Sequence, residues 1–153
     1  MNLTNLNLDD VIKAIKNKQI KNKELFESNY KRARELVGTG ASDNEIRKLT
    51  EEDVTGYYPI YLKASKMEKS ENLEGALDLY WGNIYVNGTD APGNYERMIV
   101  ILNKLKRYKD LMFILQLYLA CGGMREDINE KIIKRISSVE KKISKQCNEN
   151  AHS

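Results

Sequence analysis

Apolar residues recur along most of the chain at intervals of three and four, the spacing that lines one face of an α-helix. Leu8, Val11, Ile12 and Ile15 begin the series. Asn7 stands where it can cap that helix, and Asp9 and Asp10 suit its positive N-terminal end. Leu25, Phe26, Tyr30, Ala33, Leu36 and Val37 predict a second helix, stopped by Gly38-Thr39-Gly40. Ser42-Asp43-Asn44-Glu45 has the form of a capping box and opens a short helix holding Ile46 and Leu49. Thr50-Glu51-Glu52-Asp53 predicts a further short turn or helix, and Gly56 interrupts. Pro59 fits the first turn of a new helix, where its missing N–H costs nothing.

From Tyr57 the periodicity strengthens. Ile60, Tyr61, Ala64 and Met67 predict a helix to about Ser70, and Leu73, Ala76, Leu77, Tyr80 and Ile84 a second to about Val86. Asn87 to Gly93 is a loop by composition. Tyr95, Met98, Ile99, Leu102 and Leu105 predict the next helix. Leu111, Ile114, Leu115, Tyr118 and Leu119 predict another, ended by Gly122-Gly123. Ile132, Ile136, Val139 and Ile143 mark a last helix, and the residues after Cys147 read as a frayed tail. No stretch reads as a strand, so the fold class is all-α, with seven or eight helices.

The segments 57–88 and 92–122 superpose at a constant offset. Ile60 falls on Tyr95, Met67 on Leu102, Leu73 on Tyr108, Ala76 on Leu111, Tyr80 on Leu115 and Ile84 on Leu119. A fixed offset that carries apolar positions onto apolar positions is the signature of stacked helical hairpins, neither of which buries its apolar face alone. The expected core is Ile60, Ala64, Met67, Leu73, Ala76, Leu77, Tyr80, Tyr95, Ile99, Leu102, Leu111, Leu115 and Tyr118.

In Glu71-Asn72-Leu73-Glu74-Gly75-Ala76-Leu77-Asp78-Leu79-Tyr80, in Lys106-Arg107-Tyr108-Lys109-Asp110-Leu111 and in Pro92-Gly93-Asn94-Tyr95-Glu96-Arg97 the chain resembles the tetratricopeptide repeat (TPR) family. The likeness covers 57–122. It departs from the family at Lys63, where leucine is preferred, and at Ile99 and Leu111, where small residues are preferred, which implies a looser or differently angled second hairpin. The resemblance implies antiparallel helical hairpins stacked as a short TPR-like α-solenoid. It divides the chain into an N-terminal helical segment (1–56), two hairpins (57–123), a C-terminal capping helix (124–147) and a disordered tail (148–153). The N-terminal helices and the helix from Glu126 would complete the stack as atypical caps. It further implies a non-catalytic module that binds a protein or peptide on the surface lined by the first helix of each hairpin. Carried over position by position, that surface would use Tyr58, Tyr61, Ser65 and Glu68 from the first hairpin and Glu96, Val100, Asn103 and Lys104 from the second. The basic clamp with which the family holds a carboxyl terminus is not reproduced, since the matching positions of the first hairpin hold tyrosine and serine.

Charge adds a second functional reading. The net charge of +3 hides an uneven distribution. Lys13 to Arg34 holds eight Lys/Arg against two Glu, Asp43 to Glu96 five basic against eleven acidic residues, and Lys131 to Lys145 six basic against Glu140 alone. The segment Ala33 to Leu49 resembles the first two helices of bacterial helix-turn-helix domains. The alternative function is therefore a nucleic-acid-associated regulator with a degenerate helix-turn-helix near 30–56. Against it, the would-be recognition element begins with three acids, Glu51, Glu52 and Asp53, which meet phosphate with the wrong sign.

Catalytic chemistry is sparse. The single histidine is His152, which removes most histidine-based acid–base, triad and zinc schemes. No glycine-rich phosphate loop occurs. Glu51-Glu52-Asp53 reads as a favourable helix start, with a metal or acid–base role as the alternative. No catalytic, cofactor or metal residue is assigned, and the chain is expected not to be an enzyme. Cys121 and Cys147 lack metal spacing and read as free thiols. With no signal-peptide pattern and no membrane-length apolar run, a cytoplasmic location is expected. The narrow stripe of the last helix fits a cap on the helix of Leu111 to Leu119, giving a monomer, or a short homodimeric coiled coil. Lysines facing one another across a symmetric seam favour the cap.

Overall fold

The computed structural model describes residues 1–51, 53–123 and 125–151. Among them the protein is all-α, as expected. A short 3-10 turn at Leu3–Asn5 precedes seven α-helices: α1 Leu8–Leu36, α2 Asp43–Glu51, α3 Tyr57–Lys69, α4 Leu73–Tyr85, α5 Pro92–Lys104, α6 Tyr108–Cys121 and α7 Glu126–Ala151. Helices α3 to α7 each pack on the next in chain order. Contacts between the start of one helix and the end of its neighbour make the pairs antiparallel: Asn83 reaches Tyr57, Tyr95 stacks on Tyr118, and Lys142 covers Tyr108.

The offset of the sequence repeat is reproduced in the backbone. Shifted by 35 residues, the bounds of α3 become those of α5, and the start of α4 becomes that of α6. The turns match bond for bond. After α3, Ser70 N–H donates to Lys66 O at 3.1 Å and Asn72 N–H to Met67 O at 2.9 Å. After α5, Leu105 N–H donates to Ile101 O at 2.9 Å and Arg107 N–H to Leu102 O at 3.0 Å. Each turn needs one residue in the left-handed region to reverse the chain, and here neither is glycine: Glu71 has φ +62° and Lys106 +55°.

The core runs through α4, α5 and α6. Ten of the thirteen expected core residues are buried, with Leu77, Tyr80, Leu102, Leu111 and Leu115 fully so. Ile60, Met67 and Leu73 are only half-buried. Helix α1 does not stack ahead of α3 as a cap; it lies across the second helices α4 and α6, and α2 packs on α1. Helix α3 ends the row with α4 packed on it, and along its apolar stripe Ala64 is fully buried while Ile60 and Met67 are covered only in part.

Helix α1 also corrects the expectation of two separate helices, because it is continuous through 16–24. Its stripe breaks in sequence because polar residues take the inward positions. Gln19 Nε2 donates to Cys121 O at 2.8 Å and Asn22 Nδ2 to Asn87 O at 2.9 Å, satisfying carbonyls where α6 and α4 end. Beyond Asn22 only Ala33 of α1 is buried, and no residue of α2 is, so Leu25, Phe26, Tyr30 and Val37 stand exposed. The capping residues behave as read: Asn7 Oδ1 accepts from Asp10 N–H at 3.0 Å and Ser42 Oγ from Glu45 N–H at 3.2 Å. No helix begins at Thr50, since α2 runs on to Glu51, but a turn follows, in which Asp53 O accepts from Gly56 N–H at 3.1 Å; Glu52 lies outside the described residues. Helix α7 continues through residues 148–151 of the expected tail, and His152 and Ser153 lie outside the described residues.

Two substitutions test this packing. Leu77→Ala should lower the unfolding free energy by about 2–5 kcal/mol in chemical denaturation, as for truncation in a packed core. Lys106→Gly should raise it by about 0.5–1 kcal/mol, the relief of a left-handed side chain less the added freedom of the unfolded chain. A destabilised Lys106→Gly would mean that the left-handed turn is not formed.

Candidate interaction surface on α3 and α5

The eight residues assigned from sequence lie on two helices that the structure holds side by side. Gly93, in the first turn of α5, allows the close approach: a Cβ there would stand 3.1 Å from the Tyr61 ring. One turn on, Arg97 Nε donates to Glu68 Oε1 at 3.0 Å, and Arg97 Nη2 closes the fork on Glu68 Oε2. At the far end Lys104 Nζ meets Glu71 Oε2 at 3.2 Å. Behind this seam the Tyr61 and Tyr80 rings lie 5.7 Å apart, and Tyr80 O–H donates to Glu68 Oε1 at 3.0 Å.

The seam sorts the assigned residues into two groups. Tyr61, Glu68 and Lys104 are engaged in joining α3 to the rest of the repeat pair. Asn103 accepts a bond from Lys142 Nζ at 3.3 Å, a side-chain tether from α7, which itself packs on α6. Tyr58, Ser65 and Val100 have no such duty, while Glu96 lies beside the Tyr118 hydroxyl of α6, a phenol that burial and the Glu96 carboxylate both push upward. Tyr58 is 55% exposed and Val100 43%, and Glu96 is exposed. The sequence reading missed Leu62, which is 45% exposed and shares its side of α3 with Tyr58 and Ser65 at helical spacing. It also missed Arg97. The offset that aligns the repeats puts Arg97 over Leu62, an apolar-to-charged mismatch that marked a position with a job of its own.

Burial would by itself raise the Glu68 carboxyl. The Arg97 fork, the Tyr80 hydroxyl and the Arg97 charge together outweigh it and hold the group below the usual carboxylate range. Burial and the Glu68 carboxylate both push the Tyr80 phenol upward, so the pair is a carboxylate and a neutral phenol at neutral pH.

Two open clefts lie elsewhere, beside the α1–α2 arm. One, of about 780 Å³, is lined by Lys16, Asn22, Phe26, Asp53, Asp90 and Gly122. The other, of about 710 Å³, runs between α1 and α2 past Leu25, Arg32, Leu36 and Leu49. Among the described residues no group of three or more His, Cys, Asp or Glu is placed to hold a metal ion, and no helix is long and apolar enough to cross a membrane. No protein-family model, curated protein or solved structure matches the chain.

A depressed carboxyl stabilises the fold above its ordinary pKa, and that contribution is lost as the pH falls through the folded value. Wild type should therefore exceed Glu68→Gln in stability at neutral pH, and the gap should close as the pH drops below about 4.5. Denaturation of both proteins across the acid range reads this directly; a gap independent of pH would remove the Glu68–Arg97 pair from the account.

Proposed function

We propose that the chain is a non-catalytic binding module of TPR-like type, which takes a protein or peptide on the face formed by α3 and α5. The observation that supports it most is the division of labour along the seam. Gly93, Arg97, Glu68 and Tyr61 join the two helices, while Tyr58, whose ring meets only Tyr57 edge-on among the described rings, Leu62 and Val100 stay exposed to water. Tyrosine and aliphatic side chains presented on a rigid base lose little conformational freedom when they bind. The matched turns and the 35-residue shift of the helices support a repeat architecture, and short stacked hairpins commonly serve as scaffolds for such faces.

The nucleic-acid reading has one observation in its favour: Lys13, Lys16, Lys23, Lys31 and Arg34 are all exposed along α1. It ranks second because the helix after α2 is α3, which packs on α4 and belongs to the first hairpin. No separate recognition helix accompanies α1 and α2 among the described residues.

The test is a pair of surface variants. Val100→Arg should leave the circular dichroism spectrum and unfolding midpoint unchanged and weaken capture of the native partner at least tenfold, the loss of about 1.4 kcal/mol. Lys13→Glu with Lys31→Glu should leave that capture unchanged. The reverse pattern would move the site to α1.

A further inference from the structure

Helix α7, packed on α6, carries charge to the edge of this face. Lys142 touches Asn103 of α5 and lies 5.4 Å from the centre of the Tyr108 ring, which fixes the side of α7 turned toward α5. Residues four, seven and eleven positions earlier share that side: Ser138, Arg135 and Lys131. On the opposite flank, Lys69 shares its side of α3 with Tyr58, Leu62 and Ser65 by the same spacing. The face therefore has an apolar strip, Tyr58, Leu62 and Val100, flanked by exposed cations from two helices. Lys69, Lys131 and Arg135 form no ion pair among the described residues, whereas Lys104 is already matched by Glu71. Glu96 is the exposed acid on α5 between the flanks, and Glu68 and Glu71 are held by Arg97 and Lys104.

Resting on the binding reading above, we infer that the partner is an acidic segment of a protein, with aspartate or glutamate interspersed among aromatic or aliphatic residues. Its apolar side chains pack on Tyr58, Leu62 and Val100, and its carboxylates meet Lys69, Lys131 and Arg135. Eleven residues of helix separate Tyr58 from Lys69 and Lys131 from Lys142, about 16 Å in each case. That length accommodates about three helical turns or five to six extended residues, so an internal stretch of chain suffices and no free terminus is required. Nucleic acid fits less well, because the strip between the cations is partly aliphatic and offers the phosphates no cation of its own. Long-range attraction of this kind speeds encounter and rejects partners of the wrong sign, and it weakens with salt.

Three fluorescent peptides of about twelve residues, sharing one apolar pattern and carrying glutamate, glutamine or lysine between, provide the test by anisotropy on the full chain. A single-stranded RNA oligomer of random sequence is the fourth probe. The acidic peptide should bind at least tenfold more tightly than the glutamine peptide at low salt, and that margin should shrink as salt is raised. Lys131→Glu with Arg135→Glu should remove most of the margin, and Val100→Arg should abolish binding of the acidic and glutamine peptides alike. Circular dichroism checks that both variants are folded. If Val100→Arg abolishes binding but acidic and glutamine peptides bind equally, or the double charge reversal changes nothing, the acidic preference is wrong and the face remains a binding face. If no peptide binds in a Val100-dependent way, both readings fail. Tighter binding of the RNA, sensitive to Lys131 and Arg135, would overturn the proposal in favour of nucleic acid.

Discussion

Asn83 has no water to turn to. It is fully buried in α4, at the point where two hairpins and a loop converge, and every polar atom of its side chain must be matched inside the protein. Its amide donates to Tyr57 O at 3.0 Å, where α3 begins, and to Asn94 Oδ1 at 2.9 Å, in the first turn of α5. Its side-chain oxygen accepts from Asn87 Nδ2 at 3.0 Å, and its backbone carbonyl from Thr89 N–H at 3.1 Å. Asn87 in turn presents its carbonyl to Asn22 of α1. An apolar side chain would bury as well but would not specify which groups meet. This amide fixes the relative register of α3, α4 and α5, and the Asn87–Asn22 bond ties α1 to the same knot.

A second polar anchor acts in the first turn of α6. Asp110 accepts from Leu3 N–H at 3.0 Å and from Arg107 Nε at 2.9 Å, while Arg107 also reaches Glu74 at 2.7 Å and the carbonyl of Met1. The N-terminal turn is thereby tied to α4 and α6, with Leu3 fully buried beside them. With its start held at Asp110 and its middle held at Asn87 and Cys121, α1 has one path available, across α4 and α6. The remainder of α1 and the whole of α2 extend past the last anchor, which explains why they carry exposed apolar side chains and open clefts while the repeat pair is close-packed.

The repeat pair was legible because its apolar residues do the packing themselves. Leu77, Tyr80, Leu102, Leu111 and Leu115 declare their burial through spacing, and the offset that aligns them also aligns the turns. What escaped was decided by polar residues. Gln19 and Asn22 interrupt the stripe of α1 and read as surface, yet they bind the carbonyls that make α1 continuous. Asn83 and Asn94 sit among apolar neighbours where periodicity alone would leave them unassigned. The half-burial of Ile60 and Met67 beside the fully buried Ala64 depends on which helices lie against α3, a long-range fact that no local pattern contains. On the α3–α5 face, helical position groups Tyr58 and Val100 with Glu68 and Lys104 and could not show that the last two are engaged across the seam. Only the partners across the seam make that distinction.

If the polar junction at Asn83 joins the two hairpins, they open as one cooperative body and the α3–α5 face rests on a rigid base. Native-state amide hydrogen exchange measures this most directly, because it reports the free energy at which each helix opens. The slowest amides of α3, α4, α5 and α6 should share one opening free energy equal to that of global unfolding. Those of α2 and of residues 23–36 in α1 should exchange through openings several kcal/mol cheaper, and Asn83→Ala should split α3 and α4 from α5 and α6. Separate opening energies for the two hairpins in the wild-type chain would contradict the account.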